Sequence, residues 1–263
     1  MNDSMYIAAT GMQMQQASVD TIANNLANVG TPGFKRSRVS FQDLVYRDMG
    51  GARAASSQAT QGAAHSLWQG SGVGMAGIVK AFAGGELKQT GQALDFAVRG
   101  DGFFEVTAAD GTPAFTRGGS LVVDKEGYLA TSDGYQLRPA IQVGNDASEL
   151  SVSAAGVVTA KLAGQSSPSE LGRIELARFA DTSGLQAMGG NMYRPSAASG
   201  DAIYGAAGEG GMGTVAQGWL EGSNVNLVDE MVSLMVAQRA YESSVKVIQA
   251  SDEMLAMSNN LRK

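Results

Sequence analysis

Apolar side chains recur at alternating steps of three and four at both ends of this chain. Toward the N-terminus they are Met5, Ala8, Met12, Val19, Ile22, Leu26 and Val29, with Gln15 as the polar member. That is a heptad seam, and it predicts an amphipathic helix buried along one narrow stripe. The run Asn28-Val-Gly-Thr-Pro32 predicts its end, because Gly30 suits a left-handed cap and Pro32 cannot extend the ladder. Near the C-terminus Leu227, Met231, Leu234, Gln238, Tyr241, Val245, Ile248 and Leu255 repeat the spacing, with Asp252 polar. Asn224 or Asn226 suits the start of this second helix, and Asp229 and Glu230 fall in its first turn, where the macrodipole favours them. At the α-helical rise the two segments are about 36 Å and about 50 Å long. Their flanks are Asn, Gln, Ser, Thr and Ala, which suit lateral packing. The two ends are therefore expected to pair with each other first and with neighbouring copies second.

The middle changes period. Short runs at 95–98, 102–106, 114–117, 121–123, 128–130 and 135–137 are rich in β-branched and aromatic residues. Asp110-Gly111, Glu126-Gly127 and Asp133-Gly134 punctuate them as hairpin turns do. Further strands are expected at 150–152, 157–160 and 174–179. The fold class is α+β: N- and C-terminal helices forming a coiled-coil-like α domain, with a central mainly-β domain. The expected boundaries are 1–34 and 225–263 for the helical part and 78–204 for the β part. Residues 35–77 read as a connector, and 205–224 as a Gly-rich return connector.

Composition narrows the function. Hydrophobic residues make up 44% of the 263 and charged residues 17%, unlike a disordered acidic chain. The formal charge of −6 offers no basic face for nucleic acid. There is no cysteine, so no disulfide framework and no Cys-type zinc site. The longest apolar runs, such as 232–237, are far short of a membrane span. Residues 1–34 hold no Lys or Arg, so the basic start of a cleaved secretory signal is missing, and export without cleavage is the expectation.

Catalytic chemistry finds little support. His65 is the sole histidine and sits in Ala/Gly/Ser sequence, a poor place for a positioned base. No carboxylates fall at metal-ligand spacing. Gly72-Val-Gly74-Met-Ala-Gly77 matches a dinucleotide fingerprint with Asp95 beyond it, but no strand precedes it and Gly84-Gly85 follows. These glycines read as a tight connector. The expectation is no catalytic residue, no metal and no cofactor.

Three blocks carry a resemblance. Ile22-Ala-Asn-Asn-Leu-Ala-Asn-Val-Gly-Thr-Pro-Gly-Phe-Lys35 resembles the N-terminal signature of flagellar rod and hook proteins. Gln217-Gly-Trp-Leu-Glu-Gly-Ser-Asn-Val-Asn-Leu-Val228, running on to Gln238-Arg-Ala-Tyr-Glu242, resembles its C-terminal counterpart. Ala93-Leu-Asp-Phe-Ala-Val-Arg-Gly-Asp-Gly-Phe-Phe104 and Phe115-Thr-Arg-Gly-Gly-Ser120 fit between them. The likeness covers the whole chain.

The resemblance implies a structural subunit that polymerises helically with itself, the terminal helices packing as an inner tube. It implies proximal rod proteins, hook protein, the surrounding P and L rings and the flagellar type III export apparatus as partners. The place implied is the basal body, in a rod spanning the periplasm. Residues from about Tyr46 to Gln69 occupy the position of a distal-rod-type insert, although they are richer in Gly and Ala than that pattern. The expected assembly contacts are Met5, Met12, Val19, Ile22, Leu26, Val29, Leu227, Met231, Leu234, Tyr241, Val245, Ile248 and Leu255. Phe41 and Val45 resemble a short export-gate recognition motif. Within the family a proximal rod protein or a short hook protein is the alternative; outside it, a secreted adhesin-like β module with coiled-coil ends.

Overall fold

The computed structural model describes residues 2–44, 46–48, 68–144, 147–162 and 167–261. The chain divides into two compact units, each assembled from distant parts of the sequence. The first takes residues 1–25, 37–79 and 227–263; the second takes 26–36 and 80–226.

The first unit holds the long helices α1 (Asn2–Ala27) and α2 (Leu227–Asn260). It also holds four strands: β1 (Ser37–Asp43), β2 (Tyr46–Asp48), β3 (Trp68–Gly70) and β4 (Val73–Lys80). β1 pairs with β4, and β2 with β3. The Gly72–Gly77 run, expected as a tight connector with no strand before it, follows β3 directly and lies mostly within β4. Its ladder partner lies some thirty residues earlier, and local periodicity carries no sign of such a partner. Gly72 opens the strand at φ +108°, and a Cβ there would fall 2.5 Å from the Thr10 hydroxyl of α1. Only glycine fits that approach.

The second unit is built almost wholly of strands. They are β5 (Leu87–Gln89), β6 (Phe96–Arg99), β7 (Phe103–Thr107), β8 (Pro113–Thr116), β9 (Leu121–Val123), β10 (Leu129–Thr131), β11 (Leu137–Arg138) and β12 (Ala147–Val152). Then come β13 (Val157–Leu162), β14 (Ser169–Arg173), β15 (Glu175–Arg178), β16 (Gln186–Gly189), β17 (Met192–Arg194), β18 (Ile203–Ala206), β19 (Thr214–Gln217) and β20 (Trp219–Glu221). A seven-stranded sheet runs β16-β17-β8-β7-β15-β18, with β11 added beside β7. β12, β13 and β14 form a second sheet.

The expected turns close this sheetwork. Gly111, Gly127 and Gly134 all hold positive φ, and each donates its N–H three residues back, to Ala108, Asp124 and Thr131. Phe96, Phe104, Val106, Leu129, Leu137, Ile141, Ile174 and Leu176 fill the main core. Phe103, Phe115, Phe179 and Tyr193 form a second, edge-to-face cluster joined by Phe82.

Residues 205–224, expected as a connector, carry β19 and β20. These strands return to pair with β6 and β5, the first strands of the unit.

Candidate assembly surface and a buried ionic node

One hydrogen bond and one neighbouring pair relate the helices of the first unit. Asn25 of α1 donates through Nδ2 to Glu230 of α2 at 3.3 Å. A Cβ on Gly11 would lie 3.8 Å from Ser244 Oγ. Both steps span fourteen residues, in opposite chain directions, so α1 and α2 run antiparallel in one register. The same register places Ser18 opposite Ala237. Ala237 and Ser251 are buried, and so is Glu230. Ala237, Ser244 and Ser251 are small and stand at seven-residue intervals along the α2 face that this register turns toward α1.

This alters one column of the expected seam on α2. Leu234, Ile248 and Leu255 are half-buried as the spacing suggested, and so is Val245. The second inward column, however, is Ala237, Ser244 and Ser251, where the spacing had pointed to Met231, Gln238, Val245 and Asp252. A seam read from large apolar side chains passes over small ones such as these. On α1, Met5, Met12, Val19 and Leu26 are half-buried and Ile22 is buried; Val29 lies past the helix end and is exposed.

Other large apolar residues of α2 are turned outward. Leu227, Met231 and Tyr241 are exposed. Val228, Val232, Met235 and Val236 were not among the expected contacts, yet they are exposed to 65%, 49%, 53% and 62%. For Val232, Met235 and Val236 the signal in the sequence is the apolar run at 232–237. A row of large apolar groups on one helix is the mark of an interaction surface. Phe41 is an exposed residue of β1; Val45 and His65 lie outside the described residues.

The second unit holds a different feature. Lys35, Arg117 and Glu221, one from each of the sequence blocks quoted above, meet in its interior and are almost fully buried. Glu221 Oε1 accepts from Lys35 Nζ at 2.6 Å and from the Gly85 N–H at 2.8 Å. Its Oε2 accepts from Arg117 Nη1 at 3.3 Å. Lys35 also donates to the Ala83 carbonyl, and Arg117 to the carbonyls of Val98 and Gly100. Burial pushes the Lys35 ammonium below its usual pKa, and Glu221 opposes that shift.

Tyr193 lies close enough to be affected by the same carboxylate. Burial, with the Glu221 charge second, pushes its phenol well up, and its hydroxyl makes no hydrogen bond. Nothing in the hydrophobic pattern marked this node, because single charges inside turn-rich sequence have no period.

Gln217 and Asn224 extend the node's reach. Gln217 accepts from the Val152 N–H and donates to the carbonyls of Ala93 and Leu150. Asn224 accepts from the Arg36 N–H and donates to the carbonyls of Ala81 and Ala83. Its side chain is therefore committed to this unit; the residue next to α2 is Asn226. Among the described residues no group of His, Cys, Asp and Glu is arranged to hold a metal ion.

Comparison with known proteins places these features. Residues 5–35 match the family model described as flagella basal body rod protein, and residues 97–160 the flagellar hook protein FlgE/F/G D1 domain. Residues 216–261 match the flagellar basal body rod FlgEFG protein C-terminal model. The flagellar basal-body rod protein FlgG of Borreliella burgdorferi is 42% identical over 99% of this chain and 98% of its own length. Its counterpart in Caulobacter vibrioides is 39% identical, covering 97% of each. The Bacillus subtilis counterpart is 38% identical over 99% of each. The flagellar hook protein FlgE of Helicobacter pylori is 35% identical, but over only 54% of this chain and 20% of its own length.

Proposed function

The chain belongs to the family of flagellar basal-body rod proteins, and we propose that it is a structural subunit of the distal rod, polymerising helically to transmit torque from motor to hook. The observation that carries the mechanism is the outward apolar face of α2, with Val228, Met231, Val232 and Met235 exposed on the single chain. Side chains of that size on a 34-residue helix gain most by burial against further copies. Full-length likeness to rod proteins, against a match to one-fifth of a hook protein, favours the rod over the hook. The role is structural and not enzymatic.

In this reading the helix pair lines the inner tube in a coiled-coil-like packing. Residues 35–77 are the connector that holds the distal-rod-type insert. Proximal rod proteins and hook protein adjoin the two ends of the polymer, and the P and L rings surround it where it spans the periplasm. The subunit reaches that place through the flagellar type III export apparatus without a cleaved signal peptide, Phe41 and Val45 serving the export gate. Exposure of Phe41 on β1 is consistent with a recognition role.

The test is deletion of the gene in its host, with electron microscopy of isolated basal bodies. Rods that stop short, without hook or filament and restored by the intact gene, are expected. Normal flagella with full motility would remove the rod role.

A further inference from the structure

The second unit opens and closes on itself. Its first strands, β5 and β6, take their ladder partners from β20 and β19, more than a hundred residues later, although the Phe96 N–H of β6 also donates to the nearer Gly119 carbonyl. The stretch 217–224 does more than complete two ladders. Gln217, Glu221 and Asn224 occupy every third or fourth position along it, and each spends its side chain on backbone or charge from a distant segment. Gln217 holds Ala93, Leu150 and Val152. Asn224 holds Arg36, Ala81 and Ala83. Glu221 holds Gly85, Lys35 and Arg117, while its own carbonyl accepts from the Gly33 N–H at 2.7 Å.

The electrostatics make this stretch indispensable. Without Glu221, closure of the core would bury an ammonium and a guanidinium facing only backbone carbonyls. Two buried cations without a counter-charge cost far more than their hydrogen bonds return. The remaining close approaches leave no room for rearrangement. A Cβ on Gly85 would overlap the Gly222 carbonyl, and one on Gly33 would fall 2.8 Å from the Gly118 nitrogen.

We propose that residues 217–224 are a closing segment whose arrival, through Glu221, permits the second unit to fold, so that the chain stays open until it is present through residue 224. A subunit threaded through a channel N-terminus first would then remain unfolded in its β unit until almost all of it had emerged. That use rests on the rod reading, whereas the folding order does not, and the test below needs no assembly.

The full chain is refolded from urea and its amides are labelled by pulsed hydrogen exchange. β7 and β15 are expected to gain protection in the same kinetic phase as β19 and β20. Protection of β7 and β15 in an earlier phase would overturn the proposal. In native-state exchange, Glu221→Gln is expected to speed the amides of β7, β15 and β20 together, by tenfold or more. Acceleration confined to β20 and β5 would also overturn it. Should Glu221→Gln fail to fold, Lys35→Met combined with it restores the parent's net charge at the node. Protection is then expected to recover. A double variant no better than the single one would mean that lost hydrogen bonds, and not the unmatched charge, govern closure.

Discussion

Lys35 Nζ and Glu221 Oε1 lie 2.6 Å apart across 186 residues of chain, and solvent reaches neither side chain appreciably. Deleting one partner of such a pair strands the other in a medium that solvates it poorly. Lys35→Met is expected to lower stability by about 3 kcal/mol, read from the urea midpoint. The contrast is Arg194→Met, which removes the half-exposed partner of Asp110 and is expected to move the midpoint little.

Tyr193 gives a prediction of opposite sign. Its ring packs edge-to-face on Phe82 and Phe103, but its buried hydroxyl has no hydrogen-bond partner. Tyr193→Phe keeps the packing and removes the unsatisfied group, so a gain of about 1 kcal/mol is expected. A loss of stability on thermal unfolding would mean that the hydroxyl has a partner.

Gly119 tests the close approach beside β6. A Cβ there would overlap the Phe96 carbonyl, a backbone atom that cannot swing aside. Gly119→Ala is expected to destabilise the second unit by about 3 kcal/mol or to prevent its folding. Gly77→Ala is the control, since nothing lies within 4 Å of its added methyl.

Much of this architecture could be read in advance, for reasons tied to particular residues. The α1 seam stood out because Ala8, Ile22 and their neighbours keep one period over seven turns. The strands from β6 to β11 stood out because Asp110-Gly111, Glu126-Gly127 and Asp133-Gly134 mark their turns. β1, β4, β19 and β20 did not, since each is paired with a strand far away in sequence, which local spacing cannot show. The inward column of α2 was missed because Ala237, Ser244 and Ser251 are small, and an apolar pattern counts large groups. Lys35, Arg117 and Glu221 were each visible within their blocks, but their meeting is a property of the folded chain alone.

The helices should separate folding from assembly. Met235→Asp places a charge on the exposed face of α2 and is expected to abolish rod formation while leaving the urea midpoint of the β unit unchanged. Leu26→Asp, Leu234→Asp and Ile248→Asp, at half-buried positions, are expected to impair assembly more than β-unit stability. Equal loss of both would contradict the division of labour.

The central claim is that the outward face of α2 packs against further copies of this chain. A photo-reactive amino acid at Met235, in cells otherwise producing the normal protein set, tests it most directly. Irradiated basal bodies are predicted to yield a ladder of dimers and higher multimers of this chain, absent when the probe replaces exposed Asp110 in the β unit. Monomer alone at Met235, or cross-links solely to other proteins, would contradict the account.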